Sequence, residues 1–192
     1  DMKLNYKSTF DLNPEQIAKY VDELDFSHQA NCKGCYCRFY HNDLPFEQWM
    51  RRTAEGNRLE MIESLKNHSM HGLLALEDDK IIAWLNINDI KKYARIYPNV
   101  PEDLKRQKIA CSICFIVHPD YRSQGIATKL LEYAIKHYTK LGYDALLALP
   151  VSGSGVTSYR GPESMYTNLG YETLEIHDDF KVLIKALKKH SE

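Results

Sequence analysis

The sequence predicts an α/β protein built on a mixed sheet, and two observations carry that prediction. First, residues 109–117 are an apolar run, residues 126–141 carry an apolar stripe at helical spacing, and residues 144–149 are a second apolar run. A strand, a crossover helix and a strand in that order pair in parallel, through a right-handed connection. Second, residues 73–77 with 80–87, and residues 171–176 with 181–187, read as hairpins whose strands are antiparallel. One sheet that contains both kinds of pairing accounts for all six runs.

The elements follow in order. Residues 3–10 alternate weakly and predict a first strand. Asn13 then offers an N-cap and Pro14 a first helical position, ahead of an apolar face made by Ile17, Tyr20, Val21 and Leu24. Residues 32–40 are compact, aromatic and rich in cysteine. Residues 45–53 read as a helix through Phe46, Trp49 and Met50. Asn57-x-x-Glu60 resembles a capping box that opens a helix carrying Leu59, Ile62 and Leu65. After the hairpin centred on Asp78-Asp79, residues 88–108 are a long basic connection with Pro98 and Pro101, and a short helix is expected near 101–104. The stripe of the central helix runs through Ile126, Leu130, Leu131, Ala134, Ile135, Tyr138 and Leu141, and Gly142 stops it. A short helix starting at Pro162 and ended by Gly170 precedes the last hairpin.

Composition narrows the function classes. The chain has 192 residues, 44% hydrophobic and 27% charged, the balance of one globular domain over 1–192. Its formal net charge is −1, so nothing global points to nucleic acid or to an anionic membrane. No apolar run is long enough for a membrane span, and the first residues lack the basic start and apolar core of a leader. Five cysteines are an odd number for a disulfide framework. A cytoplasmic location is the expectation. A homodimer is compatible with all of this.

The most informative stretch joins the central strand to the central helix. Ile113 to Val117 end the strand, His118-Pro119-Asp120-Tyr121 make a turn, and Arg122-x-x-Gly125-x-Ala127 leads straight into the helix. Backbone N–H groups left unpaired at a helix N-terminus can hold a phosphate or pyrophosphate. Gly125 lets the backbone approach such an anion and Ala127 keeps the next turn small. No Gly-Lys-Ser/Thr follows, so this is not a P-loop, and it is not the Gly-x-Gly-x-x-Gly of a dinucleotide fold.

This stretch resembles the acetyl-CoA-binding motif of the GNAT N-acetyltransferase superfamily, Gln/Arg-x-x-Gly-x-Gly/Ala. Met165-Tyr166-Thr167-Asn168-Leu169-Gly170-Tyr171 is similar to the superfamily's Tyr-x-x-Leu-Gly-Phe/Tyr segment. The resemblance covers residues 109–176 firmly and the first hundred residues only in outline. It implies a twisted mixed sheet with helices on both faces. It implies acetyl-CoA as cosubstrate, with the pantetheine arm along the backbone of Phe115, Ile116 and Val117. The pyrophosphate would lie on the N–H groups of Arg122, Ser123, Gln124, Gly125, Ile126 and Ala127. It implies direct attack by a small-molecule or peptide amine, with Tyr166 protonating the departing thiolate. The chain departs from the family in two places. Tyr159-Arg160-Gly161-Pro162-Glu163 replaces an upstream Asn and Ala, and Ala110-Cys111-Ser112 offers no carboxylate where some members carry a Glu, so no general base can be named.

Cys32-x-x-Cys35-x-Cys37, with His28 and His41 nearby, has ligand types suited to zinc, but its ligands do not form two separated pairs. Buried small hydrophobes are the favoured reading, so no metal is expected; a metal- or redox-sensing module and a lining for the acceptor pocket are the alternatives. If residues 35–37 are a strand, Cys35 and Cys37 point to opposite faces, and alternation likewise separates Cys111 from Cys114. Trp49 and Trp84 read as core, and His118 as a turn residue. The rival from another class is a CoA-binding regulatory module without catalysis.

Overall fold

The structure is a computed structural model, and it describes residues 3–24, 34–152 and 159–188. Its centre is a seven-stranded sheet. The strands are β1 (Leu4–Ser8), β2 (Gly72–Glu77), β3 (Lys80–Asp89), β4 (Ile109–Val117), β5 (Ala145–Ala148), β6 (Glu172–Ile176) and β7 (Lys181–Ala186). They lie in the order β1-β2-β3-β4-β5-β7-β6. Only β4 and β5 are parallel; every other neighbouring pair is antiparallel. The last hairpin therefore folds back so that its second strand, β7, pairs with β5.

Helices cover both faces. On one face lie α1 (Pro14–Asp22) and α3 (Ala54–Lys66), with α2 (Phe46–Met50) between them in sequence. Ile17, Val21, Met61 and Leu65 join Leu74, Trp84 and Leu147 in that core. On the other face α5 (Ile126–Lys140) brings Ile126, Leu130, Leu131, Ala134 and Tyr138 onto Leu73, Leu85 and Leu146. The short helix α4 (Glu102–Lys105) sits in the long connection, and α6 (Glu163–Asn168) precedes β6. As expected, Asn13 caps α1: its Oδ1 accepts from Glu15 N at 2.8 Å. Leu141, assigned to the buried stripe of α5, is instead half exposed at its C-cap.

Three local expectations are corrected. Thr53, not Asn57, caps α3, with Gly56 N donating to its Oγ1 at 3.0 Å. Asn57 lies a turn inside, buried, donating to Gly34 O at 2.8 Å and accepting from Arg52 Nε at 3.2 Å. With that start the buried face runs through Met61 and Leu65 while Leu59 is exposed. Residues 35–37 are not a strand: Tyr36 and Cys37 take left-handed φ values of 48° and 55° and make a turn. Cys111 and Cys114 share one face of β4, because Asn86 pairs with Cys114 and the next residue, Ile87, pairs with Ser112. Ile113 is the extra residue of a β-bulge, which resets the alternation that a regular strand would keep.

Candidate active site

The bulge and the parallel pair together create a gap. β4 pairs with β5 only from Ile109↔Ala145 to Ser112↔Ala148. Beyond the bulge at Ile113 the two strands part, and the N–H of Phe115 is not bonded to β5. At the far end of β4, His118 caps the 3₁₀ turn Pro119–Tyr121, its Nδ1 accepting from Asp120 N at 3.1 Å, as a turn residue should. The chain then enters α5 through Ser123, at φ 61°, and Gly125, at φ 74°. No side chain caps the N-terminus of α5, so its first N–H groups are open. A Cβ added at Gly125 would meet nothing within 4 Å. Left-handed residues beside a helix N-terminus make a concave array of N–H donors, the form that binds an anion.

Tyr166 and residues 159–161 sit at the gap. Tyr166 is fully buried on the α5 side, against Tyr171 at 5.1 Å between ring centres. Its hydroxyl donates to Arg160 O at 2.5 Å. Burial pushes its pKa above the ordinary tyrosine value, so it is a proton donor throughout the neutral range. Tyr159 O accepts from Phe115 N at 2.6 Å. Gly161, at φ +83°, completes the segment; a Cβ there would meet Met165 Cε at 2.6 Å and Phe115 Cε2 at 3.5 Å. The Arg160 guanidinium spans the opening, donating to Leu149 O at 3.3 Å and to the Tyr40 hydroxyl. Three residues thus hold both the backbone donor of β4 and the hydroxyl of Tyr166.

On the opposite face of the sheet the gap meets a cavity of about 310 Å³. Ile113, Cys114 and Ile116 of β4 form its floor, and Tyr36, Phe39, Tyr40, Phe46, Trp49 and Tyr159 surround it. Among the described residues, none with a charged side chain lines it. Cys35 and Cys37 lie in its wall, on the turn that the left-handed residues create. Cys37 is pinned to the sheet: Trp84 Nε1 donates to its Sγ at 3.3 Å and Asn86 Nδ2 to its carbonyl at 3.4 Å. Hydrogen bonding to the Cys114 thiol, opposed by burial and helped by Trp84, lowers the Cys37 pKa. The long connection clamps the same region, because Arg95 donates to Phe39 O and Leu44 O, both at 2.7 Å, and to Asn42 Oδ1 at 3.0 Å. Cys32 and His28 lie outside the described residues. Among the described residues no three His, Cys, Asp or Glu side chains are placed to hold a metal ion.

The family model described as the acetyltransferase (GNAT) family matches residues 34–160. The chain belongs to that family. The match spans the aromatic turn of the cavity wall, β4, the loop before α5 and β5, and it ends ahead of the helix that carries Tyr166. The fold is shared with solved structures across 95% or more of this chain. A GNAT acetyltransferase from Listeria monocytogenes is 10% identical with a TM-score of 0.63, covering 95% of each chain. The Campylobacter jejuni N-acetyltransferase PseH, solved with acetyl coenzyme A, is 13% identical, covers 97% of this chain and 100% of its own, and has a TM-score of 0.57. PaiA N-acetyltransferase of Thermoplasma acidophilum, solved with coenzyme A, is 18% identical, with coverages of 96% and 99% and a TM-score of 0.54. No curated protein is matched by this sequence. No helix among the described residues is long and apolar enough to cross a membrane.

Within this GNAT chain, the loop at Gly125 and the helix of Tyr166 stand where the sequence puts them; of the cavity, the sequence offers only the cysteine segment as an alternative lining, and Cys35 and Cys37 do lie in its wall. Phe39 and Tyr40 lie in the aromatic stretch 32–40 and Tyr159 in the departure at 159–163, but nothing in the sequence joins them, because Tyr40 and Tyr159 are 119 residues apart. Trp49, read as core, is buried but forms a wall of the cavity. Trp84 is core, as expected. The sequence signals for the 159–161 segment are its departure from the family pattern and Gly161, beside a proline and just ahead of a helix.

Proposed function

We propose that the protein transfers an acetyl group from acetyl-CoA to an amine by direct attack. The observation that carries this reading is the parting of β4 and β5 next to an uncapped helix N-terminus whose Gly125 leaves open space. The residues present suit acetyl-CoA at both ends. The N–H groups of Arg122 to Ala127 would take the pyrophosphate, and Gly125 leaves room for it. The backbone of Phe115, Ile116 and Val117 would take the pantetheine arm, with the Phe115 N–H released by Tyr159 O when the arm enters. That exchange replaces a backbone carbonyl with an amide carbonyl of the pantetheine arm and leaves the Phe115 donor paired.

The amine nitrogen, as its free base, attacks the thioester carbonyl from the side of the aromatic cavity. A backbone N–H on β4 meets the developing oxyanion. On the other side of the sheet, Tyr166 lies within reach of the gap and gives its proton to the leaving thiolate. Its raised pKa keeps that proton in place until the thiolate forms. The nitrogen loses one proton and the sulfur gains one, so the products are an amide and the free thiol of CoA.

The test is release of CoA thiol over a panel of amines, with acetyl-CoA binding measured separately by calorimetry. Acetyl-CoA binding with amine-dependent thiol release is the expected result. Binding without turnover for any amine, in wild type and under conditions that saturate acetyl-CoA, would favour the regulatory module instead.

A further inference from the structure

The charge around the aromatic cavity restricts what can be acetylated. We propose that this cavity takes the apolar body of an amine that is uncharged at neutral pH, an aromatic amine being the simplest class. The inference rests on the acetyltransferase reading above and adds the acceptor to it.

Three observations support it. The cavity reaches β4 at the bulge and beyond it, at Ile113, Cys114 and Ile116, so a body seated there places its amine at the gap. The other large pocket on this face meets β5 at Leu147 and the chain just past it at Leu149, and none of its described lining residues belongs to β4. Second, among the described residues the lining offers no carboxylate to hold an ammonium. The nearest carboxylate that the wall touches, Asp22, is committed elsewhere, to Arg58 Nε at 2.9 and 3.0 Å and to the Tyr36 hydroxyl at 2.5 Å. Third, an aromatic cage can bind a cation through its ring faces, but three of these rings already carry a guanidinium from outside the cavity, where Arg95 and Arg160 line the neighbouring pocket. Arg95 lies 4.2 Å from the Phe39 ring centre, and Arg160 lies 5.4 Å from that of Tyr40 and 5.8 Å from that of Tyr159. A cation in the cavity would meet like charge across those rings and, among the described lining residues, no carboxylate, in surroundings of low dielectric.

This arrangement also removes the need for the missing base. An alkyl amine, with a pKa of about 10.4, must lose a proton before it can attack. An aromatic amine is already its own free base at pH 7. Its nitrogen attacks the carbonyl carbon, the C–S bond breaks, and the proton it sheds on becoming an amide balances the one the thiolate takes up.

The experiment compares two acceptors of one ring size, aniline and cyclohexylamine, with acetyl-CoA saturating. At pH 7 aniline should have the higher kcat/KM and be flat with pH around neutrality. Cyclohexylamine should gain about tenfold per pH unit as its free base appears. Phe46 is 64% exposed at the rim, so Phe46→Glu can add a carboxylate without disturbing the core. It should shift the ratio towards cyclohexylamine by roughly tenfold or more, with the KM for acetyl-CoA unmoved. Three results would overturn the inference: a wild type that prefers cyclohexylamine or a lysine side chain at pH 7; an acetyl-CoA-binding enzyme that acetylates no neutral amine; or a Phe46→Glu variant that changes preference between acetyl- and octanoyl-CoA but not between amines, which would give the cavity to the acyl chain. Failure to bind acetyl-CoA at all would remove the acetyltransferase reading as well, and calorimetry separates that case from the others.

Discussion

The loop before α5 and the cavity beside β4 are built from different materials. The loop is backbone: left-handed residues, open N–H groups and a glycine with nothing around it. The cavity is side chain: aromatic rings brought together from a turn, a short helix and the segment after β5, over the aliphatic and thiol groups of a strand. A site made of backbone needs particular residues at fixed spacing, because only glycine takes some conformations freely. A site made of rings needs only area and shape, which many residues supply. The first kind writes a motif; the second kind writes almost nothing until the chain is folded. The same division suits a transferase that takes one invariant donor and an acceptor of its own.

The largest expected effect lies between the two regions. Tyr166→Phe keeps the ring in its buried site and removes the proton, so turnover should fall about 10²–10⁴-fold while the KM for acetyl-CoA holds. Wild-type turnover, with chemistry shown to limit the rate, would remove Tyr166 from the mechanism. Next comes the backbone region itself. Gly125→Val puts a branched side chain at φ 74° and into the open space, disrupting N–H donors worth about 1.5–3 kcal/mol each to an anion. Acetyl-CoA affinity should drop roughly 100-fold in calorimetry, and an unchanged affinity would sever the loop from the cosubstrate.

Stability sharpens the comparison further. Burial, chiefly, pulls the His71 pKa down to about 4 from 6.5, and the neutral ring donates from Nδ1 to Ile87 O at 2.9 Å while Ser8 Oγ bonds Nε2 at 2.8 Å. A depressed histidine pKa means that the unfolded chain binds the extra proton first. Stability is therefore full above about pH 6.5 and is lost as pH falls towards 4. The loss should approach roughly 3 kcal/mol for this group, read from chemical denaturation at stepped pH. His41 is shifted down in the same way, by burial first, and adds to the slope. A flat profile from pH 7 to 4.5 would contradict both assignments.

The smallest effects test the corrected start of α3. Asn57→Ala should cost about 1–3 kcal/mol, because Gly34 O and Arg52 lose a buried partner. Thr53→Ala should cost about 1 kcal/mol as the loss of a cap. Leu59→Ala should stay within about 0.5 kcal/mol, since the side chain is exposed. Had Asn57 been the cap, the first and third values would exchange rank.

These residues also show how far the sequence reached. The order of strands and helices, the N-cap at Asn13 and the limits of β4 follow from local chemistry, which one chain displays. The capping box at Asn57 failed because the helix already starts four residues earlier, capped by Thr53, and the tertiary contact of Asn57 with Gly34 O is invisible locally. The faces of Cys111 and Cys114 failed because a bulge is set by the partner strand. The cavity failed because its walls depend on long-range contacts of Tyr40, Arg95 and Arg160.

The central claim is that cosubstrate contacts belong to the loop and to β4. A titration of backbone amide resonances with CoA tests it most directly. The account predicts the largest shifts at Ser123 to Ala127, with Phe115 shifting as its N–H passes from Tyr159 O to the ligand. Shifts centred on residues 35–41 instead, with the 123–127 amides unmoved, would contradict it.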